Sequence, residues 1–274
     1  MGASSTWKDR LPKMATILAI LGFVLFLLFN LKVLPGAWHI RVLHGIRTQT
    51  NAPTTRNASP GGQEGNPLFK YLVTETRAAP LECDYNGHKS NSTYFSDLDV
   101  NRTQLLARLF KAVLSASHYD RSKRARHLNI ALGSTCCVFR REIRPLQKCQ
   151  IWSRVLTWDE KWVYIVSYFV SSNYAKEPNA RIPAEENILA SGIARYVFKD
   201  GRKTVRPVEA LTDCGVLSLQ TDESWNECEA ERAKGMLIGQ GLAGLEALPG
   251  VFCLDSGQYG RFEAGFGKSR YSAD

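Results

Sequence analysis

The chain has 274 residues, 44% hydrophobic and 22% charged, a composition that predicts a folded body and excludes a largely disordered protein. This length accommodates one ordinary domain with appendages, or two small domains. The formal net charge of +9 suits nucleic acid, anionic lipid or phosphate-bearing ligands, and by itself it does not choose among them.

The first predicted element is an apolar helix. Residues 14–31, "MATILAILGFVLFLLFNL", carry no charge and lie between Lys13 and Lys32. A membrane-spanning helix needs about 20 apolar residues. The segment is followed by Leu-Pro-Gly-Ala-Trp, which differs from the small-residue cleavage site of a signal peptide. We therefore predict a membrane anchor over residues 1–45, with the span at about 14–34. A cleaved signal peptide and a buried core helix are the alternatives.

The orientation of this anchor is poorly determined, because basic residues flank the span on both sides. The seven cysteines are an odd number and do not resemble a disulfide framework, which favours a cytosol-facing body. We therefore predict a single-pass membrane protein, for example of the endoplasmic reticulum. Glycosylation sequons occur at Asn57, Asn91 and Asn101, which would mark a glycoprotein unless they arise by chance.

The next predicted elements are a linker, a strand and a long helix. Residues 46–66 are rich in Thr, Asn, Pro and Gly and have no apolar period, so they are interpreted as a linker. Alternating residues over 68–77 predict a strand. From Asn91 to about Ser117, apolar residues recur at spacings of three and four, which predicts an amphipathic helix of more than five turns.

The remainder of the body, which we place at residues 67–204, has the two-residue period of strands. The predicted strands are 128–143, 149–158, 161–170 and 187–199. The second and third form a hairpin that turns at Asp159-Glu160, a polar insertion at 171–186 precedes the fourth, and Asp200-Gly201 is a turn after it. One helix cannot cover both faces of such a sheet, so we expect the sheet to wrap the helix and to pair with a second copy. The tail, residues 205–274, is less regular, with one helix-like stretch.

Several catalytic signatures are absent or unsupported. Residues 239–244 match the glycine pattern of dinucleotide-binding folds, but no strand precedes them, so we reject that interpretation. There is no Gly-x-Ser-x-Gly, Cys-x-x-Cys or His-Glu-x-x-His motif, and we expect neither a metal nor a cofactor.

Two basic clusters raise the question of nucleic-acid binding. They lack the aromatic interleaving of nucleic-acid readers, so we predict solvated faces and no nucleic-acid partner. The alternative is a site for the phosphates of coenzyme A, for an acidic carrier protein or for an anionic membrane. The clusters consist of Arg121, Lys123, Arg124, Arg126, Arg140, Arg141 and Arg144.

The strongest candidate for chemistry is the stretch "CDYNGHKSN", residues 83–91. Its Asn-Gly pair predicts a turn, so Asp84 and His88 would lie in a loop that leads into the long helix. A helix N-terminus offers unpaired N–H groups and a positive dipole end, which can polarise a carbonyl. A neighbouring carboxylate can then activate water or attack the acyl carbon. The same residues would also serve as turn and helix caps, and these residues alone leave both interpretations open.

The run "CDYNGHKSNSTYFSDLD" resembles the signature of thioesterase-like hotdog proteins, Asp-x-x-x-His-x-x-Asn-x-x-Tyr before the central helix. The matching residues are Asp84, His88, Asn91 and Tyr94, followed by an acid at Asp99. The chain also resembles the membrane-anchored thioesterase superfamily member 6 group, which likewise opens with an apolar segment. Related single-span proteins occur in filamentous fungi, some beside secondary-metabolite genes.

The resemblance implies an α+β hotdog fold, in which an antiparallel sheet wraps one long central helix, here with an N-terminal transmembrane helix. It also implies a homodimer with the active site between subunits, and hydrolysis of an acyl thioester on coenzyme A or on a phosphopantetheinyl carrier protein. The alternative function is a non-catalytic module that binds acyl groups or lipids, or a membrane scaffold.

The resemblance also assigns roles to single residues. Asp84 would carry the catalytic carboxylate, His88 and Asn91 would complete the catalytic set by shaping the loop and contacting the thioester, and Asp99 would be a second acid. Tyr94 would contact the substrate. The first helical residues, which include Ser92 and Thr93, would bind the thioester carbonyl through their backbone amides.

Overall fold

The computed structural model describes residues 7–52, 66–111, 128–172, 184–217 and 223–248. Within these ranges the helices are α1 (Trp7–Phe29), α2 (Ala37–Asn51), α3 (Asn91–Leu109), α4 (Pro207–Asp213) and α5 (Glu223–Ala243). The strands are β1 (Leu72–Arg77), β2 (Asn129–Phe139), β3 (Lys148–Trp158), β4 (Val163–Ser171), β5 (Ile188–Asp200) and β6 (Lys203–Val205). The predicted α+β class and the predicted order of strand, long helix and further strands are confirmed.

The strands form one antiparallel sheet in the order β1-β3-β4-β5-β2, and β6 pairs with β5. The hairpin between β3 and β4 turns at Asp159, whose Oδ1 accepts hydrogen bonds from the backbone N–H groups of Lys161 and Trp162 at 2.7 Å. Register shifts occur in β3 between Val155 and Thr157 and in β2 between Leu132 and Ser134. Such bulges bend a strand and increase its twist, and the sheet curls.

Helix α3 lies in the curl of the sheet and provides one side of the core. Its apolar side chains pack against residues of β3, β4 and β5 in two clusters of buried residues. The approach is close where Leu98 lies over Gly192 of β5, since a Cβ atom there would lie 3.3 Å from Leu98 Cδ1. The helix ends at Leu109, and residues 112–117 of its predicted extension lie outside the described ranges.

The predicted transmembrane helix is wrong. Within the described part of the chain, no helix combines the length and the apolarity that crossing a membrane requires. Helix α1 ends at Phe29, and its uncharged part, residues 14–29, is about 24 Å long against a hydrocarbon core of about 30 Å.

The chain that follows α1 packs into the protein body, so the residues from Asn30 onward are not part of a membrane span, although the predicted span extended to residue 34. Asn30 is fully buried, its Nδ2 donates to the carbonyl of Phe26, and its Oδ1 accepts from the N–H of Leu81 at 2.8 Å. The predicted anchor, the single-pass location in the endoplasmic reticulum or another membrane, and the membrane partner therefore lose their basis.

Helix α2 lies along α3 on the side away from the sheet. The two helices approach closely at Gly45, where an added Cβ atom would lie 2.6 Å from Gln104 Cγ. Below this crossing, Arg108 of α3 donates to Gln49 Oε1 and Lys111 donates to the carbonyl of Ala52. Residues 46–51, the first part of the predicted linker, are thus helical and packed, while residues 53–65 lie outside the described ranges.

The part of the tail that the structure describes packs on the sheet. Residues of α4 and α5 join the core cluster around α3. Thr157 Oγ1 of β3 donates to the carbonyl of Arg232 at 2.7 Å, and Arg232 Nη1 donates to the carbonyl of Trp158 at 2.8 Å. The predicted helix in the tail is confirmed, and these bonds give it a fixed place against β3.

The contact between α5 and β3 depends on a glycine, which provides a test of this packing. A Cβ atom at Gly235 would lie 2.5 Å from the carbonyl oxygen of Leu156, whereas one at Gly241 in the same helix has nothing within 4 Å. We expect Gly235→Ala to lower the free energy of unfolding by about 1–3 kcal/mol, because the helix must move off the strand. Gly241→Ala should instead raise it by roughly 0.5–1 kcal/mol through helix propensity. Urea unfolding measures both, and equal effects would contradict this packing.

Candidate active site

Residues 83–89 form a tight hairpin immediately before α3. Cys83 and Lys89 form an isolated antiparallel bridge, and the N–H of Asp84 donates to the carbonyl of His88 at 3.0 Å. The turn closes through the N–H of Gly87, which donates to the carbonyl of Asp84, and Gly87 has a φ of +78°, a region that glycine enters without strain. The predicted Asn-Gly turn is confirmed, and it places Asp84 opposite His88.

The side chains of Asp84 and His88 approach each other on this hairpin. His88 Nδ1 lies 3.8 Å from Asp84 Oδ1, and His88 Nε2 lies 3.7 Å from Glu142 Oε1. Both distances exceed a hydrogen bond, so the imidazole lies between two carboxylates without a hydrogen bond to either. Asp84 and His88 are each about one quarter exposed, at 26% and 25%, so both remain accessible to a substrate. Asp84 Oδ1 also accepts from the N–H of Asn86 at 2.9 Å, which fixes the carboxylate over the turn.

The N-terminus of α3 lies next to this pair. Ser90 precedes the helix but makes no side-chain capping bond, and its N–H donates to the carbonyl of Glu82 at 2.8 Å. Along the hairpin, the Glu82–Ser90 contact is followed by the Cys83–Lys89 pair and then by Asp84 opposite His88. Asp84 is thus two residues from the helix start, roughly 7 Å at about 3.3 Å per residue. Asn91 and Ser92 are exposed there.

The first turn of α3 therefore presents backbone N–H groups that no side-chain cap satisfies. The N–H of Thr93 and the hydroxyl of Thr93 both donate to the carbonyl of Ser90, and Ser92 Oγ lies 3.2 Å from Ser90 Oγ. Thr93 thus stabilises the turn internally. The N–H groups of Asn91 and Ser92 face the end of the helix, where the dipole is positive and an oxyanion is stabilised.

A buried cluster of charges lies directly beneath the hairpin. Lys89 Nζ lies 3.1 Å from Glu82 Oε1 and 3.0 Å from Asp97 Oδ2, and the side chains of all three are at most 2% exposed. Two cations from the N-terminal segment complete it. Lys32 Nζ lies 2.7 Å from Glu82 Oε2 and 3.0 Å from Asp97 Oδ2, and Arg41 Nη2 lies 2.8 Å from Asp97 Oδ1. These ion pairs hold the N-terminal segment against the base of the hairpin.

The charge state of Asp97 follows from this surrounding. Burial alone raises the pKa of its carboxyl group, but the attraction of Lys32, Lys89 and Arg41 outweighs burial and lowers the pKa to about 2. Asp97 is therefore ionised at neutral pH. Sequence reasoning missed this cluster, although a charge at Asp97 on the apolar stripe of a helix is a signal that a buried partner exists.

Two other predicted site residues lie apart from the hairpin surface. Tyr94 is 2% exposed, and its ring packs between Phe139 and Phe169 at centroid distances of 4.9 and 4.8 Å. Burial raises the pKa of its hydroxyl far above the usual value. Asp99 forms an ion pair with Arg102 at 2.9 Å, about 12 Å further along the helix at ~1.5 Å per residue. The structure therefore brings together Asp84, His88 and the helix start, but neither Asp99 nor the buried Tyr94.

Three cysteines in the described part of the chain, Cys83, Cys137 and Cys149, do not offer a nucleophile near neutral pH. Burial raises the pKa of Cys137 to about 11 and that of Cys149 to about 12. The pKa of Cys83, beside Asp84, is raised first by burial and then by the negative charge of Glu82. All three are thus protonated thiols, and the thiolate is the reactive form. Among the residues that the structure describes, no group of three His, Cys, Asp or Glu side chains could hold a metal.

The predicted glycosylation sequons differ in accessibility. Asn101 is fully buried, and its Nδ2 donates to Thr74 Oγ1 at 2.8 Å and to the carbonyl of Ile151, so it cannot carry a glycan in this fold. Asn91 is exposed at the first position of α3, and Asn57 lies outside the described ranges.

The chain is similar to several known proteins. The family model of the thioesterase-like superfamily matches residues 78–213. "Probable thioesterase atnL" of Emericella nidulans is 41% identical over 281 residues, covering 87% of this chain and 90% of that protein. "Thioesterase poxG" of Penicillium oxalicum is 39% identical, with 85% and 86% covered, and "Probable thioesterase YBR096W" of Saccharomyces cerevisiae is 34% identical, with 71% and 79% covered. Among solved structures, the YbaW probable thioesterase of Escherichia coli matches 53% of this chain and 96% of its own, with a TM-score of 0.38 and 15% identity.

Proposed function

The chain belongs to the thioesterase-like superfamily, and from this premise we propose that it hydrolyses an acyl thioester. The acyl group would be carried by coenzyme A or by a phosphopantetheinyl carrier protein. The observation that carries the proposal is the Asp84–His88 pair, which lies beside a helix N-terminus without a side-chain cap. A carboxylate next to free backbone N–H groups is what thioester hydrolysis needs, since it combines a base or nucleophile with an oxyanion site.

In the proposed reaction, the thioester carbonyl points at the N–H groups of Asn91 and Ser92, which stabilise the charge that develops on its oxygen. Asp84 removes a proton from water while the water oxygen bonds to the acyl carbon. The carbon–sulfur bond then breaks, and the proton passes from Asp84 to the departing sulfur. Direct attack by Asp84 through an acyl-enzyme anhydride gives the same products after hydrolysis.

His88 is proposed to line the site on the side from which the substrate enters. Its imidazole lies between Asp84 and Glu142, 3.8 and 3.7 Å from their carboxylate oxygens, where a substrate on the hairpin would contact it. Asn91, Ser92 and Thr93 define the helix start that receives the carbonyl. Tyr94 would act from within the core, because its ring supports the beginning of the helix against Phe139 and Phe169.

We further propose that the active form is a homodimer joined at β2. This strand is the last in the sheet order and exposes Leu132, Val138 and Phe139, at 44%, 62% and 37%. A long apolar edge strand is a template for pairing with another strand. Phe139 contacts Tyr94, and Thr135 of the same strand accepts a hydrogen bond from Arg102 at 2.8 Å. A second copy at this edge would therefore lie beside α3 and could bring its own Asp99 near the site.

The direct test is hydrolysis by the purified full chain with a panel of acyl groups, each attached to coenzyme A and to a carrier protein. We expect release of free thiol and a sedimentation mass of about twice the 30.6 kDa of one chain. Binding of the acyl compounds without cleavage of any thioester would instead support the non-catalytic acyl-binding module. A role in fungal secondary metabolism stays a prediction.

A further inference from the structure

A basic ridge borders the candidate active site. We use this name for Arg77, Arg140, Arg141, Arg144 and Lys148, which lie on the end of β1, on the loop of residues 140–147 and at the start of β3. The loop is joined to the hairpin, because the N–H of Lys89 donates to the carbonyl of Ile143 at 2.8 Å. His88 also lies 3.7 Å from Glu142 on the same loop. A partner on the ridge would thus reach the catalytic hairpin.

The ridge carries positive charge that the protein itself leaves largely uncompensated. All five side chains are exposed, and in the described part of the chain Arg77, Arg141, Arg144 and Lys148 take part in no ion pair. Arg140 pairs with Glu185, which lies outside the loop, and Glu142 is the one carboxylate within it. Arg77 and Lys148 stand directly opposite each other in the β1–β3 register. Like charges at such positions destabilise a sheet, so an anionic partner would relieve a cost that the free protein bears.

The width of the ridge indicates the kind of partner. The N–H groups of Arg140 and Arg141 both donate to the carbonyl of Leu189 at the start of β5, while Arg77 ends β1. Three strand spacings separate β1 from β5 in the sheet, which is roughly 14 Å at about 4.8 Å per spacing. An α-helix of about ten residues has this length. The ridge therefore matches an extended acidic protein face better than a single phosphate group.

We propose that the basic ridge docks an acidic carrier protein, whose phosphopantetheine arm delivers the acyl thioester past His88 to Asp84. This inference rests on the proposed function and narrows its substrate to carrier-bound acyl groups. The carrier's acidic helix would lie along the loop of residues 140–147. Charges at the rim of an interface mainly accelerate and orient the encounter, and their effect falls with ionic strength.

The test uses two charge-reversal variants of the full chain. The first is Arg141→Glu with Arg144→Glu, whose side chains are exposed and whose backbone bonds do not depend on the guanidinium groups. The matched control is Arg202→Glu with Lys203→Glu, an equal change of charge at the β5–β6 turn, at the other end of β5 from Leu189. The substrates are the same acyl group on an acidic type II acyl carrier protein, on coenzyme A and on N-acetylcysteamine.

With the carrier substrate, we expect the ridge variant to lose roughly tenfold or more in kcat/KM, mainly through KM, as removal of rim charges predicts. The control variant should stay within about twofold of wild type. Raising the salt concentration should lower the kcat/KM of wild type with the carrier substrate toward that of the ridge variant. With N-acetylcysteamine thioester, all three proteins should be alike, which shows that the catalytic hairpin is intact.

Two results would overturn the proposal. An equal loss with acyl-coenzyme A would assign the ridge to nucleotide phosphates, and unchanged kinetics with the carrier would remove the ridge from substrate recognition. If wild type cleaves none of the three substrates, the proposed function fails instead. Fluorescence anisotropy of the labelled carrier then tests the ridge separately. Salt-sensitive binding that the ridge variant loses and the control keeps supports the docking surface, and its absence overturns it.

Discussion

Replacing Asp84 with asparagine is expected to lower kcat for thioester hydrolysis by roughly 10²–10⁴-fold, the usual contribution of a positioned acid–base group. Asparagine keeps the size of the side chain and an oxygen that can accept the hydrogen bond from the N–H of Asn86. The hairpin should therefore keep its shape while the negative charge is lost. Steady-state kinetics of the purified full chain, with the thiol product measured directly, check this expectation.

The comparison with Asp84→Ala separates catalysis from turn formation. Alanine removes both the negative charge and the oxygen that accepts the hydrogen bond of the turn. The alanine variant should therefore be inactive whether Asp84 is the catalytic carboxylate or only stabilises the turn. If Asp84 only caps the turn, asparagine would remain as active as wild type and alanine alone would fail. That pattern would contradict the proposed role of the carboxylate. Unfolding curves of both variants show whether any loss of activity reflects loss of the fold.

Replacing Asp97 with asparagine is expected to lower the free energy of unfolding by about 3–5 kcal/mol, the cost of removing one partner from a buried ion pair. The variant leaves Lys32 and Lys89 paired with Glu82 alone and removes the carboxylate with which Arg41 pairs. Equilibrium unfolding in urea measures the change. Glu160→Gln is the matched control, since the exposed Glu160 pairs with Arg206 and should cost less than about 1 kcal/mol. Equal costs for the two variants would show that burial of the cluster contributes nothing.

The pH dependence of stability provides a second signature of Asp97. Its pKa is about 2 in the folded protein, below the ordinary value of 3.8. Because the folded pKa is lowered, the stabilisation by Asp97 is fully present above about pH 4 and is lost as the pH falls toward 2. Wild type should therefore lose stability more steeply than Asp97→Asn between pH 4 and about 2. Parallel curves for the two proteins would contradict the ion pairs of Asp97.

Much of the fold was predictable because its signals are local. The period of apolar residues along α3, the alternation along β3 and β4, and the turn residues at Asp159 all act between neighbours in the chain. The Asn86-Gly87 turn is local in the same way, so a turn between Asp84 and His88 was predictable, whereas the pairing of Cys83 with Lys89 that makes it a hairpin was not.

The errors arose where partners are distant in sequence. Lys32 was interpreted as the charged border of a membrane span, but it contacts Asp97, 65 residues further along the chain. In the same way, nothing near Gly235 in the sequence indicates its partner, the carbonyl oxygen of Leu156, from which an added Cβ atom would lie 2.5 Å. Neither partner can be recognised from the residues nearby, because a charge or a glycine looks the same whether it faces solvent or a strand.

The sequence by itself determined the order of the elements, the turn between Asp84 and His88, and the family signature. Only the tertiary structure decided that the chain after α1 is bonded into the body, that Asp97 is buried among three cations, and that α5 lies on β3. The physical reason is that local patterns fix the backbone dihedral angles of each segment. Burial and ion pairing depend instead on which segments meet after folding, and the charge of a side chain alone does not specify its partner.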